Sequence, residues 1–270
     1  MKILKLSLVI SLLALPTLVF AQTVFSGAGG STAALTPTRD AFRDALGGGS
    51  VAGANGSFGG LRREINWDGV PDALSAPSNL PANFFNVNSP RGAVFSTPGT
   101  GFMVSANAGV APIRFDNINP GYSATFQTFS AQRLFTSLGS NVFDVNFFVP
   151  GTTTPALVAG FGSVFTDVDI LGATTIQYFD RNNVSLGTFS VPAQDFGLSF
   201  LGVSFNSATI ARVRITAGNV ALGVNDGGGN DVVVADDFIY SEPTSTAPEP
   251  TSSVLLTLGG TLVLLRRKRR

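Results

Sequence analysis

An all-β sandwich is the fold this sequence predicts, and three observations point to it. Gly, Phe, Val, Thr and Asn dominate the middle of the chain, where short alternating apolar runs are separated by turn signals. Phenylalanine occurs 23 times against a single tryptophan, so the aromatics read as filling between two sheets. Between the two ends lie roughly 225 residues, an ordinary size for one all-β domain.

The elements follow in order along the chain. Lys2 and Lys5 form a basic start, Leu6 to Leu15 an apolar stretch, and Val19-Phe20-Ala21 a small-residue cleavage site, so residues 1–21 read as a secretory signal peptide. Residues 22–60 read as a flexible Gly/Ala-rich leader with one short helix over 38–46. In that helix Ala41, Phe42, Ala45 and Leu46 share a face, Thr38 is the expected N-cap and Gly47 the stop. The sandwich domain spans 61–242. Within it, Trp67 to Pro90 carries Pro71, Pro77, Pro81 and Pro90 and reads as an irregular surface excursion.

Strands are expected at Arg91–Ser96, Asn141–Val149, Phe161–Asp167, Leu198–Phe205, Ile210–Thr216 and Val232–Tyr240. From 141 to 149 the alternation sets Phe143, Val145, Phe147 and Val149 on an apolar face against Val142, Asp144, Asn146 and Phe148 on a mixed one. A hairpin is expected over Thr175–Val191, turning at Asp180-Arg181-Asn182-Asn183. A linker at 243–250 leads to an apolar segment and basic tail at 251–270.

Composition narrows the chemistry. The precursor balances 17 basic against 17 acidic residues, but all its lysines lie in the two end segments, and residues 22–247 keep ten arginines and sixteen acids for a formal charge of −6. An acidic, lysine-free region is a poor nucleic-acid binder. Without cysteine there is no disulfide, thiol nucleophile or thiolate metal site, and without histidine there is no Ser-His-Asp triad, zincin motif or imidazole acid–base chemistry. Carboxylates remain, and a glycosidase-like pair is the easiest catalyst to build from them.

Three constellations could carry a function. Asp167 and Asp169 alternate on a strand, so their side chains share a face about 7 Å apart. They could bind calcium or act as acid and base; a solvated face or a turn-capping set is the plainer reading. The loop Asn225-Asp226-Gly227-Gly228-Gly229-Asn230-Asp231 is dense in hard oxygen ligands and leads to Asp236-Asp237, which makes Asp226, Asp231, Asp236 and Asp237 candidate calcium ligands. The spacing is not that of an EF-hand, and a plain hairpin turn is the alternative. An inward Asp236 or Asp237 would need a partner, either the ion or an arginine such as Arg212 or Arg214. Third, Asn66-Trp67-Asp68 sets the tryptophan in a polar, turn-rich stretch, where it could stack on a sugar ring or cover one end of the sandwich. The closing Asp-Asp-Phe strand is similar to the last strand of carbohydrate-binding jelly rolls, which makes the sandwich jelly-roll-like in expectation.

The chain ends on Pro248-Glu249-Pro250, fifteen uncharged residues from Thr251 to Leu265, and Arg266-Arg267-Lys268-Arg269-Arg270. The prolines bar a helix from crossing them, and the apolar run makes a helix of about 22 Å, a marginal single span of a core of about 30 Å. Five cations behind it would stay in the cytoplasm. This tail resembles the PEP-CTERM sorting signal of exported proteins in Gram-negative, exopolysaccharide-making bacteria. The resemblance implies recognition by an exosortase-type membrane protease acting near Pro248, Glu249 and Pro250, with Arg266, Arg267, Arg269 and Arg270 as the retaining cluster. The expectation is an exported, non-enzymatic surface or matrix protein, transiently anchored in the membrane and contacting exopolysaccharide through Trp67, Asp68 and Asn66. A carboxylate-dependent glycan hydrolase or lyase using Asp167 and Asp169 is the alternative, and a purely structural matrix component is another.

Overall fold

The computed structural model describes residues 21–48, 51, 60–107, 110 and 113–245. Residues 1–20 of the expected signal peptide, and the tail with Pro248, Glu249, Pro250, Arg266, Arg267, Arg269 and Arg270, lie outside the described residues. Among the described residues no helix is long and apolar enough to cross a membrane.

Two antiparallel sheets face each other. The larger runs in the order β1 (Gln22–Gly29), β11 (Gln194–Phe205), β8 (Gly160–Val168), β13 (Val234–Ser241), β5 (Phe135–Leu138), β4 (Gly101–Val104), with β2 (Arg62–Ile65) also paired to β13. The smaller runs β10 (Ser185–Ser190), β9 (Thr175–Phe179), β12 (Arg212–Thr216), β6 (Val142–Phe147), β3 (Ala93–Ser96). A two-stranded ribbon joins β7 (Ala156–Leu157) to β14 (Thr244–Ser245). Every expected strand is present, and β6 buries Phe143, Val145 and Phe147 as its alternation requires. The 175–191 hairpin also forms: Asp180 Oδ1 accepts from the backbone N–H of Asn182 and of Val184, both at 2.8 Å, and Asn183 takes φ 61°.

The core between the sheets is aromatic, with Phe95, Phe102, Phe135, Phe143, Phe161 and Phe238 all buried. The outer face of the larger sheet is covered over β8. All nine residues of β8 are buried, because a helix, α1 (Thr32–Ala45), lies over its outer side. Leu35, Phe42 and Leu46 pack there on Val164, Leu198, Phe200 and Ile239. Near the other end of the sheet, Phe115, Tyr122 and Phe126 cover Leu134, Val232 and Val234.

Two expectations for the N-terminal half are corrected. The described part of the supposed flexible leader is ordered: Gln22–Gly29 pairs with β11 over eight residues, and the helix starts at Thr32 after Ser31 rather than after Thr38. The small residues that suggest flexibility are there for closeness. A Cβ on Gly27 would fall 2.7 Å from the Thr38 hydroxyl, and one on Gly29 would fall 2.5 Å from Ala34 Cβ, so only glycine lets α1 lie on β1. The helix even runs through Pro37, whose cost of about 3 kcal/mol is offset by burying Leu35 and Phe42.

The second correction concerns residues 67–90, which do not form a surface excursion. Trp67, Val70, Leu80, Phe84 and Phe85 all enter the main core, so the proline-rich stretch folds back to close one end of the sandwich. Arg133, 1% exposed, ties it down by donating from Nη1 to the Val70 carbonyl at 2.6 Å and pairing through Nη2 with Asp72.

Candidate metal centre

The strongest cluster of functional groups stands where β8 runs out. Opposite its last residues, β11 carries extra residues between Gln194 and Leu198, and this bulge pushes Asp195 and Phe196 outward. Phe196 takes φ 49° and Asp167 φ 64°, left-handed values that neither would adopt in a regular ladder. One contact fixes both: the Phe196 N–H donates to Asp167 Oδ1 at 2.9 Å.

The Gly-rich loop arrives from the other side. Gly227 and Asn230 exchange backbone hydrogen bonds of 3.0 and 3.1 Å around Gly228 and Gly229, at φ 62° and 100°. Two central residues at positive φ make this a tight turn that glycine takes without penalty. The loop is therefore the plain turn that the alternative reading describes, and it also delivers a ligand. Asp226 Oδ1 accepts from the Gly227 N–H at 3.0 Å, and a carboxylate oxygen each of Asp167, Asp169 and Asp226 lie within 4.8 Å of one another. Buried Asp231 supports them from behind, accepting from the N–H groups of Asp169 at 3.2 Å and Ile170 at 3.1 Å.

Crowding shows in the acidities. Burial first, and then the charges of Asp169, Asp226 and Asp195, push the Asp167 carboxyl up to about 7. Asp169 is pushed up to about 6 by burial and by the charge of Asp195. A divalent cation would remove that repulsion, and oxygens sharing one calcium ion stand up to about 5 Å apart, given bond lengths near 2.4 Å. Asp167, Asp169 and Asp226 could hold such an ion. Sequence reasoning treated Asp167/Asp169 and Asp226/Asp231 as separate features, and missed Asp195, which only the bulge in β11 brings beside the end of β8.

Asp236 and Asp237 do not belong to this group. Between Ala235 and Phe238 a bulge in β13 turns both carboxyls toward residues 129 and 130. Asp236 Oδ2 accepts from the Phe129 N–H at 2.5 Å, and Asp237 Oδ1 from the Ser130 hydroxyl at 2.7 Å. Burial, and for Asp236 also the neighbouring charge of Asp237, raises both acids, so the pair readily retains a proton. The expected arginine partners are elsewhere: Arg212 and Arg214 both bind Asp144, at 2.9 and 2.8 Å.

Trp67 is not a sugar platform. It is 1% exposed, stacks on Phe135 with centroids 4.1 Å apart and planes at 4°, and donates from Nε1 to the Asp236 carbonyl at 2.7 Å. The tryptophan thus covers one end of the sandwich and satisfies the carbonyl that the β13 bulge takes out of the ladder. Asp68 is also occupied, accepting from the Arg133 N–H at 3.2 Å. Only Asn66 of the three is exposed.

No family model and no curated protein matches this chain. Among solved structures, the enzymatically active domain of tailspike protein 4 from bacteriophage CBA120 is similar at 10% identity and a TM-score of 0.22, over 64% of this chain and 21% of the length of that one. A likeness of that size carries no argument about fold, site or activity.

Proposed function

We propose that the protein is an exported, non-enzymatic sandwich of the cell surface or extracellular matrix, with calcium bound at its acidic corner. The convergence of Asp167, Asp169 and Asp226 carries the calcium part. Location is supported by the basic-apolar start and by the tail, whose resemblance to PEP-CTERM signals implies anchoring by the apolar segment followed by exosortase-type processing. In an exported protein calcium is a natural structural ion, because extracellular modules bind it at about 10⁻⁴–10⁻³ M. The rival hydrolase or lyase is less well supported by the geometry: Asp167 is 2% exposed and one of its oxygens is held by the Phe196 N–H, so the residue is better placed to hold an ion than to reach a sugar.

Two outcomes test this. Calcium should raise the melting temperature and a chelator should reverse the rise, with about 2.7 kcal/mol of added stability at one hundred times Kd. Asp226→Asn should abolish the response, and a melting curve indifferent to calcium would refute the ion. For the tail, cells lacking the exosortase-type protease should retain the protein in the membrane fraction at its uncleaved size; unchanged release would refute processing.

A further inference from the structure

A second polar feature lies between α1 and the bulged part of β13, a cleft of about 440 Å³. Its volume falls within the roughly 300–1,000 Å³ of small-molecule sites. The polar lining is Arg39, Arg43, Arg91, Glu64, Asn66 and Asp237, with Ser130 and Thr32 beside them. Three guanidiniums against two carboxylates make the cleft net cationic, on a region whose formal charge is −6. Such a local reversal of sign draws an anion from solution.

The cations are not equally engaged. Arg43 is committed to Asp40 at 3.1 Å and Glu64 at 2.7 Å, and Arg91 donates from Nη1 to the Glu64 carbonyl at 2.5 Å. Arg39 is held differently. Its guanidinium lies 4.8 Å over the Phe129 ring, and Nε sits 2.7 Å from Asp40 Oδ1 without the alignment of a hydrogen bond. Among the described residues its two Nη atoms donate to nothing. One face of the guanidinium is therefore fixed on an aromatic ring while its edge is left for a planar oxyanion, the arrangement in which arginine binds carboxylates in two-pronged fashion.

The other walls rule out several anions. Phosphate and sulfate offer acceptors almost exclusively and would meet the Glu64 and Asp237 carboxylates with repulsion. An ammonium group would suit those carboxylates but would face three guanidiniums. Hydroxyl groups suit both, since they donate to carboxylates and accept from the Asn66 amide, whose side chain makes no hydrogen bond among the described residues.

We propose that this cleft binds an acidic sugar unit, with the sugar carboxylate on Arg39 and its hydroxyls on Asp237, Glu64 and Asn66. The site rests on the exported reading only for where the sugar would be met. The site needs neither calcium nor tail processing, so either can fail without the other.

Calorimetric titration of the full chain in mild detergent tests it, with glucuronate, a glucuronate oligomer, glucose and inorganic phosphate as probes. Glucuronate should bind, with glucose and phosphate weaker by roughly tenfold or more, the worth of a hydrogen bond to a charged group. Arg39→Gln should lose roughly the same factor. Asn66→Ala changes an exposed residue, so it should melt like the parent and bind glucuronate several-fold more weakly. An oligomer that binds at least as tightly as the monomer identifies a polymer as the source, and one that binds more weakly identifies the free sugar acid. No heat with glucuronate, equal affinity for glucose or phosphate, or unchanged binding in Asn66→Ala would overturn the proposal, even if Arg39→Gln fails to fold.

Discussion

Trp67→Ala is expected to destabilise the protein by about 4 kcal/mol or more, enough to leave a typical domain barely folded. Truncating a fully buried tryptophan costs about 3–5 kcal/mol, and here the ring stacks on Phe135 and meets Phe85 and Phe238 edge-on at 5.4 and 5.0 Å. Loss of the indole N–H also leaves the Asp236 carbonyl without its donor, which adds about 1–3 kcal/mol. Trp67→Phe keeps an aromatic ring on Phe135 and removes the donor together with part of the buried volume, so its loss should be smaller than that of Trp67→Ala. Denaturant midpoints followed by circular dichroism should rank parent, Trp67→Phe and Trp67→Ala in falling order. Because Trp67 is the single tryptophan, its emission should also resist soluble quenchers in the native protein and become accessible on unfolding. A Trp67→Ala protein of parental stability would mean that the indole does not cap the sandwich.

The second large effect is expected where α1 meets the larger sheet. Phe42 is fully buried over two facing glycines, and a Cβ on Gly202 would fall 2.8 Å from Phe42 Cδ2, one on Gly162 2.9 Å from Phe42 Cε1. Phe42→Ala should cost about 3–5 kcal/mol through the cavity it leaves. Gly202→Val should cost about 1–3 kcal/mol through overpacking. Combined, the two should cost less than their sum, because the valine fills space that the phenylalanine vacates, with a coupling of about 0.5–3 kcal/mol. Simple additivity in a double-mutant cycle on urea unfolding would show that ring and glycines do not share one space.

These two sites mark where local pattern and fold part company. Period-two alternation in β6, β9 and β12 was enough to locate those strands, because each exposes one face and its side chains record which. The same logic failed for residues 22–46. Gly27 and Gly29 look like flexibility in a sequence and act as clearance under a helix, and nothing in their identity tells the two apart. Pro37 likewise looks like a helix boundary until Leu35 and Phe42 are seen to share one buried stripe across it.

The candidate site divides the same way. Asp167 and Asp169 stood out by spacing, and Asp226 by its glycine-rich setting, since residue type alone suffices to recognise hard oxygen ligands. Asp236 and Asp237 stood out too and belong elsewhere, because a one-residue bulge in β13 decides where their carboxyls point.

The sequence alone determined the mostly-β class, the acidic, lysine-free composition of residues 22–247 and the chemistry that missing histidine and cysteine forbid, since these depend on residue type and short-range period. Tertiary structure alone decided that Trp67 is core, that Asp226 from the Gly-rich loop meets Asp167 and Asp169 at the end of β8, and that Arg39 faces a cleft. Each of those depends on strand register and on bulges, and a single extra residue in a ladder redirects side chains without leaving any mark in composition or local pattern.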